Sequence, residues 1–329
     1  MKLIASPTDL EADLIIVGAG PSGLYATYYA GFRGLSVVVI DALAQLGGQM
    51  AILYPEKPVF DVAGFPRVRA QDLVDSLVEQ AALAEPHYLL GHRAVTLEQS
   101  PDDVLVRTDR GVSVRGKALL ITGGMGGFRP RPLPAGEEFV GRGVRHAVPR
   151  PDELAGRDVL VVGGGDSAVD WALCLEPVAR SVTLAHRRDA FRAHERSVER
   201  LRASSVRILT PYEVAAARGH DRVAEVDLSG PDGTITLPVT EIVAALGFQA
   251  DLSALASWGI DLRRRHITVD RSMRTNLSRV FAAGDITDFD GKVRLISVGF
   301  GEAALAVNNL VPLVRPGLPT VPGHSSDAA

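Results

Sequence analysis

Two short glycine-rich segments constrain the fold of this chain more than any other feature of its sequence. They read Gly18-Ala-Gly20-Pro-Ser22-Gly23 and Gly163-Gly-Gly165-Asp166-Ser167-Ala168. Each follows a short apolar run and precedes a stretch that is compatible with a helix. In such a strand–turn–helix unit the first glycine permits a tight turn and the second lets a pyrophosphate approach the backbone. The third position, glycine or alanine, allows the helix to pack closely against the strand. The sequence therefore predicts an α/β fold with two Rossmann-like, dinucleotide-binding domains.

The first segment belongs to a predicted strand–helix–strand unit. The strands cover residues 13–17 and 36–40, and the helix between them covers residues 22–33. Asp41 follows the second strand, about 20 residues after the glycines, where a carboxylate can accept hydrogen bonds from ribose hydroxyls. The pattern favours Asp41 as a nucleotide ligand over a surface aspartate beside an ordinary helix-opening turn.

The second segment belongs to a similar unit whose last strand ends in basic residues. Its strands cover residues 157–162 and 181–185, and its helix begins at Asp166. The arginines that follow are Arg187, Arg188 and Arg192. Guanidinium groups bind a 2′-phosphate through charge-assisted hydrogen bonds, whereas a carboxylate here would favour a free 2′-hydroxyl. The pattern predicts NADP(H) rather than NAD(H). The alternative is a solvated basic face paired with Asp189, Glu195 and Glu199.

Two further glycine-containing segments indicate where the domains join. Residues 117–127 are typical of a strand that runs into several glycines, and residues 241–248 have the same character. We therefore predict a discontinuous FAD-binding domain formed by 1–122 and 247–329, with an NADPH-binding domain inserted at 123–246. The tail 316–329 is rich in Pro, Gly and Ser, a composition typical of disorder.

Composition and charge argue against several kinds of partner. The formal net charge of −4 and the pI near 6.1 give no basic footprint for nucleic acid. No apolar run approaches the ~20 residues of a membrane span, and the N-terminus has no apolar signal-peptide segment. The single cysteine, Cys174, excludes a disulfide framework and is typical of a reducing compartment. We expect a cytoplasmic protein without a nucleic-acid partner, a membrane partner or a bound metal.

The stretch His186–Arg192 resembles the NADPH domain of bacterial thioredoxin reductases, but the chain lacks their redox dithiol. Those enzymes carry Cys-x-x-Cys shortly before the second glycine segment, whereas residues 144–153 contain no cysteine here. Over almost its whole length the chain instead resembles the thioredoxin reductase-like ferredoxin/flavodoxin–NADP(H) reductases. The stretches that carry this resemblance are Gln45–Met50, Tyr54–Pro66, Gly163–Ala172, Phe191–Glu195, Ala283–Asp285 and Gly299–Ala303.

The resemblance implies a set of contacts around FAD and NADP(H). Around FAD they involve Asp41 at the adenosine ribose, Gln49 at the flavin, Tyr54 stacked on one flavin face, Val95 at the adenine, Phe128 near the cofactor and Asp285 at the ribityl chain. Four residues of the first glycine segment complete the FAD set: Gly18, Gly20, Ser22 and Gly23. The NADP(H) set consists of residues of the second glycine segment and the arginines that follow its last strand: Gly163, Gly165, Asp166, Ser167, Arg187, Arg188 and Arg192.

The resemblance also gives the C-terminal tail a role. His324 and Ser326 would cover the opposite flavin face, often from the partner subunit, which implies a homodimer. This expectation replaces the compositional prediction of disorder. The alternatives left open are a solvated His324, a surface anchor at Tyr54 and simple interdomain packing at Phe128.

The implied activity is that of an FAD enzyme. NADPH would deliver a hydride to the flavin, and the electrons would then pass one at a time to ferredoxin or flavodoxin. Because the cofactors carry the chemistry, no catalytic side chain is expected. Two alternatives remain open. One is an NADPH-dependent flavin reductase for iron chelates, quinones or a separate dithiol protein. The other is a non-catalytic regulator that binds FAD and NADPH.

Overall fold

The computed structural model describes residues 9–123, 127–251 and 253–322. The chain divides into two compact units. The first comprises Met1–Ala51, Pro58–Phe128 and Ala250–Ala329, and the second comprises Ile52–Lys57 and Arg129–Gln249. The predicted boundaries, 1–122 with 247–329 and 123–246, lie within a few residues of these divisions. They differ in the segment 52–57, which was assigned to the first domain but packs with the second unit.

The regular elements follow one another along the chain as mixed helices and strands. The α-helices are α1 (Pro21–Phe32), α2 (Gly48–Leu53), α3 (Ala70–Ala82), α4 (Asp166–Leu175), α5 (Glu195–Arg202), α6 (Ser253–Ser257) and α7 (Ile296–Val314). The strands up to the second glycine segment are β1 (Asp9–Val17), β2 (Val37–Asp41), β3 (Pro58–Val59), β4 (Val68–Arg69), β5 (His87–Leu90), β6 (Ala94–Gln99), β7 (Val104–Thr108), β8 (Ser113–Ile121), β9 (Gly127–Pro130), β10 (Val144–Arg145) and β11 (Asp158–Val162). The later strands are β12 (Ser181–Ala185), β13 (Arg207–Leu209), β14 (Glu213–Gly219), β15 (Val223–Gly230), β16 (Gly233–Pro238), β17 (Glu241–Ala244), β18 (Phe248–Asp251), β19 (Leu262–Arg263), β20 (His266–Thr268), β21 (Val280–Ala282) and β22 (Thr287–Asp288).

A parallel sheet forms the centre of the first unit. β5, β2, β1 and β8 lie side by side in that order, and β21 pairs with β8 in the same direction. β7 and β6 continue from β8 as antiparallel strands. Every residue of β2 is buried, which shows that both sides of the sheet are covered there. This is why the strand reads as a continuous apolar run.

The long helix α7 was not predicted from the sequence. Ala303, Val307 and Leu310 are fully buried and pack into the core of the first unit. α7 is long and apolar enough to cross a membrane by length and composition alone, a test that a core helix also passes. The helix matters for the site because its first turns lie against the glycine segment of α1, as shown below.

A second parallel sheet forms the centre of the second unit. Its strand order is β10, β17, β11, β12 and β13, and all neighbouring pairs are parallel. β14, β15 and β16 form a separate antiparallel sheet, which was not predicted. Both predicted strand–helix–strand units are present, which confirms the α/β class with two Rossmann-like units.

Candidate dinucleotide-binding sites

The first glycine turn is shaped by close approach of backbone to backbone. Gly18 has a φ of 113°, and a Cβ there would lie 2.6 Å from the Cα of Gly123. A Cβ on Gly23 would collide with the carbonyl oxygen of Gly18. Thr122 fastens the turn because its hydroxyl donates to the Gly18 carbonyl at 2.8 Å. Only glycine at these positions lets the turn, α1 and the start of the crossing segment meet.

The N-terminus of α1 has the features of an anion-binding site. Gly20 is its N-cap and supplies no side-chain cap. A Cβ on Gly20 would meet nothing within 4 Å, so the space in front of the helix is open. Backbone N–H groups of the first turn and the helix dipole both favour negative charge there. The turn therefore fits the pyrophosphate of a dinucleotide.

Asp41 joins the first glycine turn to the end of β2. Its Oδ2 accepts the N–H of Ala19 at 2.5 Å, and its Oδ1 accepts the N–H of Leu43 at 2.7 Å. Burial raises the pKa of this carboxyl, and the two backbone hydrogen bonds act in the opposite direction. Each carboxylate oxygen can accept a further hydrogen bond. The predicted ribose contact is compatible with this arrangement and stays a prediction.

Three distant parts of the chain meet beside the first glycine turn. Gly284 has a φ of 83°, and a Cβ on it would lie 2.8 Å from the Oγ of Ser22. A Cβ on Gly299, in the first turn of α7, would collide with the same hydroxyl. The fold thus brings the predicted FAD residues Ser22 and Asp285 into one site, next to the N-terminal turn of α7.

A buried ion pair holds the backbone at Gly284. Glu302 is 4% exposed and accepts the Gly284 N–H at 2.8 Å. The Lys292 ammonium, whose side chain is 2% exposed, pairs with Glu302 and donates to the Gly284 carbonyl at 3.1 Å. The Thr287 hydroxyl donates to the same carbonyl at 2.8 Å. We call Thr287, Lys292 and Glu302 the Gly284 clamp. It holds the peptide unit directly before Asp285.

The Gly284 clamp was missed by sequence reasoning. The stretch Gly299–Ala303 was noted only for its resemblance, without a role for Glu302. The available signal was that Glu302 is the single charged residue of the apolar helix α7. Charged side chains are almost never fully buried unless they are paired.

The side chain of Asp285 is exposed to solvent, although other protein groups lie close to its carboxyl. Desolvation raises the pKa of its carboxyl, and the negative charge of Asp61 acts in the same direction. The positive charges of Lys292 and Arg294 oppose this shift. A carboxyl in this setting can accept hydrogen bonds from ligand hydroxyls. The predicted contact with the ribityl chain stays a prediction.

The second glycine turn repeats the geometry of the first. Gly163 approaches the carbonyl oxygen of Ala245 so closely that a Cβ would collide with it, and a Cβ on Gly164 would overlap the ring of His186. Gly165 is the N-cap of α4 without a side-chain cap, and a Cβ on it would meet nothing within 4 Å. This turn also fits a dinucleotide pyrophosphate.

The arginine-bearing loop is fastened to the second glycine turn. The Arg192 N–H donates to the Gly164 carbonyl at 2.7 Å. Asp166, the first residue of α4, accepts the N–H of His194 at 2.8 Å. These bonds hold the loop after β12 beside the helix N-terminus, where the adenosine end of a dinucleotide lies in a Rossmann unit.

The three predicted arginines are exposed and interact little with other charged groups of the protein. Arg187 lies 3.9 Å from Glu213. Within the described part of the chain, neither Arg188 nor Arg192 forms an ion pair. The alternative of a basic face paired with Asp189, Glu195 and Glu199 therefore finds no support in the contacts, and the guanidinium groups are available for a phosphate.

His186 is a second feature that sequence reasoning left without a role. Its side chain is 7% exposed and stacks on Phe191 at 5.6 Å between ring centroids. Its Nε2 is buried and has no hydrogen-bond partner among the residues that the structure describes. Burial lowers the pKa of this imidazole, and the neighbouring arginines lower it further, against a backbone hydrogen bond with Ala190. The ring is therefore neutral at neutral pH.

The lowered pKa of His186 predicts acid sensitivity. The unfolded chain takes up a proton near pH 6.5, above the folded pKa, so the free energy of unfolding falls as pH drops below that value. We expect urea midpoints measured between about pH 8 and pH 5 to show this loss in the wild type. The loss should be smaller in His186→Phe, which keeps a ring against Phe191. An unchanged slope in the variant would contradict the assignment.

Two other predicted FAD residues lie near the first glycine turn or its sheet. Gln49 is in α2, whose first residue, Gly48, approaches Gly20 so closely that a Cβ would lie 2.9 Å from the Gly20 Cα. Val95 is in β6, and its carbonyl accepts the indole N–H of Trp258 at 3.0 Å. The roles at the flavin and the adenine stay predictions.

Tyr54 packs with the second unit. Its ring lies against that unit's core cluster, and the Lys57 ammonium lies 5.3 Å from the ring centroid. Flavin stacking by Tyr54 stays a prediction. The side chain of Phe128, together with His324 and Ser326, lies outside the described residues.

The isolated thiol of Cys174 has no sign of activation. It is half-buried in α4. Burial raises the pKa of the thiol, and Asp170 and Glu56 raise it further. The thiol is therefore protonated at neutral pH, unlike a reactive thiolate. Among the described residues no group of His, Cys, Asp or Glu could hold a metal ion.

Comparison with known proteins agrees with this geometry. The profile of the pyridine nucleotide-disulphide oxidoreductase family matches residues 12–303. A protein named ferredoxin–NADP reductase from a Nocardioides species is 57% identical, covering 98% of this chain and 100% of its own length. One of the same name from Thermus thermophilus is 47% identical, covering 97% and 98%.

Solved structures show the same fold. The thioredoxin reductase of Lactococcus lactis is 24% identical, with a TM-score of 0.82 over 92% of this chain and 99% of its own. The chain belongs to the pyridine nucleotide-disulphide oxidoreductase family. Within that family it is an oxidoreductase of the group whose members are named ferredoxin–NADP reductase.

Proposed function

We propose that this chain binds FAD in its first unit and NADP(H) in its second, and transfers electrons between NADPH and a ferredoxin, with flavodoxin as an equivalent acceptor. The observation that carries the proposal is the set of exposed arginines fastened beside the second glycine turn. The isolated, protonated thiol of Cys174 supports a protein acceptor over an internal dithiol. The single cysteine also supports a cytoplasmic location.

The residues of the chain would act by binding the two cofactors and orienting them. FAD, when bound, supplies the chemistry of exchanging a hydride for single electrons. The N-terminal turns of α1 and α4 would hold the two pyrophosphates. The Gly284 clamp would orient Asp285 toward the ribityl chain, and Arg187 with its neighbours would select the 2′-phosphate. No side chain has to transfer a proton.

The proposal is tested with the purified holoenzyme and a panel of acceptors. We expect NADPH to bleach the flavin under anaerobic conditions and to drive cytochrome c reduction through an added ferredoxin or flavodoxin. Oxidised thioredoxin should not be reduced. Turnover confined to quinones or iron chelates would replace the proposal with a general flavin reductase. A flavin that NADPH does not bleach would indicate a regulator.

We further propose a homodimer, supported by an apolar surface on the first unit. α1 carries no charged residue, yet Phe32 at its C-terminal end is 66% exposed. Tyr25 on the same helix packs on Phe300 of α7 with 5.1 Å between centroids. A helix of this composition is usually covered. Sedimentation should give a dimer for the wild type and a monomer for Phe32→Glu, and a monomeric wild type would contradict this.

Electron transfer should not depend on the thiol. We expect Cys174→Ser to keep most of the NADPH-to-ferredoxin activity, because the half-buried thiol is protonated and the chain has no second cysteine with which it could form a dithiol. Thiol-blocking reagents should leave the folded enzyme active. Abolished activity with FAD still bound would show that an electron-carrying thiol takes part.

A further inference from the structure

Four exposed hydrophobic side chains cluster on two loops of the first unit. They are Phe60 (59% exposed), Phe65 (46%), Val293 (53%) and Leu295 (42%). Single exposed hydrophobic residues need no explanation, but several together mark an interaction surface when polar groups surround them. We call these four residues the apolar patch.

Hydrogen bonds show that the two loops lie side by side. Asp61 accepts the N–H of Ile296 at 2.9 Å through Oδ2, and its carbonyl accepts the Ser297 hydroxyl at 2.7 Å. The N–H of Ala63 donates to the Ser297 Oγ at 3.1 Å. These bonds hold the loop of Phe60 and Phe65 beside the loop of Val293 and Leu295.

Two exposed arginines adjoin the apolar patch along the chain. Arg67 follows Phe65 closely in the chain, and Arg294 lies between Val293 and Leu295; both are exposed. A third contribution comes from the hairpin of β19 and β20, which is tied to the second loop because Arg263 pairs with Asp288 at 2.7 Å and Asp290 at 3.3 Å. We call Arg67, Arg264 and Arg294 the arginine rim.

The turn of this hairpin is an unusual place for arginine. Arg264 and Arg265 have φ values of 50° and 69°, in the left-handed region that favours glycine or asparagine. Arg264 is exposed. A two-residue hairpin turn of this kind needs a positive φ at both positions, which glycine or asparagine adopts with less strain. Residues kept at such positions despite the strain are candidates for a function. The acidic residues near the rim already have partners: Asp288 pairs with Arg263 and lies 3.9 Å from the rim residue Arg294, Asp290 pairs with Arg263, and Asp61 accepts a hydrogen bond from the start of α7.

The surface lies next to the proposed ribityl-binding turn. β22, which follows Asp285 closely, pairs with β20 of the hairpin. Asp61 and His266 are both close enough to Asp285 for their charges to act on its pKa. The apolar patch and the arginine rim therefore occupy the side of the first unit from which a protein could reach a flavin held by Asp285.

We propose that the apolar patch and the arginine rim form the docking surface for an acidic electron-carrier protein. This inference rests on the proposed function. Aromatic and arginine side chains are the types enriched at protein interfaces. Rim charges would steer an acidic partner and raise its association rate, and the apolar centre would hold it. A purified acidic ferredoxin is the probe for this surface.

The experiment distinguishes electrostatic steering of ferredoxin from the oxidation of NADPH by the enzyme. We expect Arg67→Glu/Arg264→Glu to lower kcat/KM for ferredoxin about 10-fold or more at low ionic strength, with a smaller loss at high salt. Phe65→Ser should raise the KM for ferredoxin at both salt concentrations. NADPH oxidation with menadione, a neutral quinone that needs no steering, should be unchanged in both variants.

A matched control and the oligomeric state complete the test. Arg157→Glu makes the same kind of charge change at the start of β11, at the opposite end of that strand from its glycine turn, and should leave ferredoxin kinetics unchanged. Unaltered ferredoxin kinetics in both rim and patch variants would overturn the docking surface. Loss of the dimer in Phe65→Ser would also overturn it and assign the patch to a second copy. A wild type that reduces menadione but no ferredoxin would refute the proposed function instead.

Discussion

Replacing Arg187 and Arg188 together by alanine should raise the KM for NADPH by about 100-fold or more and change the KM for NADH little. A charge-assisted hydrogen bond contributes roughly 1.5–3 kcal/mol, and about 1.4 kcal/mol corresponds to a factor of ten. Both side chains are exposed, and among the described residues Arg187 pairs only with the Glu213 carboxylate, at 3.9 Å. Their removal should therefore leave the fold intact.

The control for this experiment is Arg207→Ala. Arg207 is exposed at the first position of β13, the edge strand of the parallel sheet, where it lies level with the middle of β12 rather than with the end that carries the arginine loop, so both cofactors should be used as in the wild type. Steady-state kinetics with NADPH and NADH measure the difference. An equal loss for both cofactors in the double variant would show that the arginines do not select the 2′-phosphate.

The second large effect is expected at the Gly284 clamp. Glu302→Ala leaves the Lys292 ammonium, 2% exposed, without its counter-charge, and breaking a buried pair in this way costs about 3–5 kcal/mol. It also removes the acceptor of the Gly284 N–H. We expect a lower melting temperature and loss of FAD on ultrafiltration, both measured against Glu79→Ala, an exposed carboxylate on α3.

A double variant separates stability from orientation of Asp285. Glu302→Ala/Lys292→Met removes both charges, so much of the lost stability should return. FAD affinity should stay weak, because neither side chain then holds the Gly284 peptide. Wild-type FAD affinity in the double variant would limit the clamp to a structural role.

Much of the fold was predictable because its signals are local. The buried strands β1, β2, β11 and β12 read as continuous apolar runs, and each glycine turn follows its strand directly. The observed bounds of α1 agree with the predicted ones to within a residue, and α4 begins at the predicted Asp166. α7 and the antiparallel sheet of β14–β16 were missed. Gly299–Ala303 was noted only for its resemblance and not as part of a helix, and no motif marks β14–β16.

Some features of the candidate sites were likewise predictable from the sequence, and others were found only in the tertiary structure. The sequence by itself determined the two glycine turns, the arginines after the second and the absence of a dithiol, since each depends on residue types within a short stretch. The tertiary structure alone decided that Ser22, Gly284 and Gly299 meet, that Lys292 and Glu302 clamp the Gly284 peptide, and that Tyr54 packs with the second unit. These features depend on contacts between distant residues, and such contacts exist only once the sheets and helices have packed.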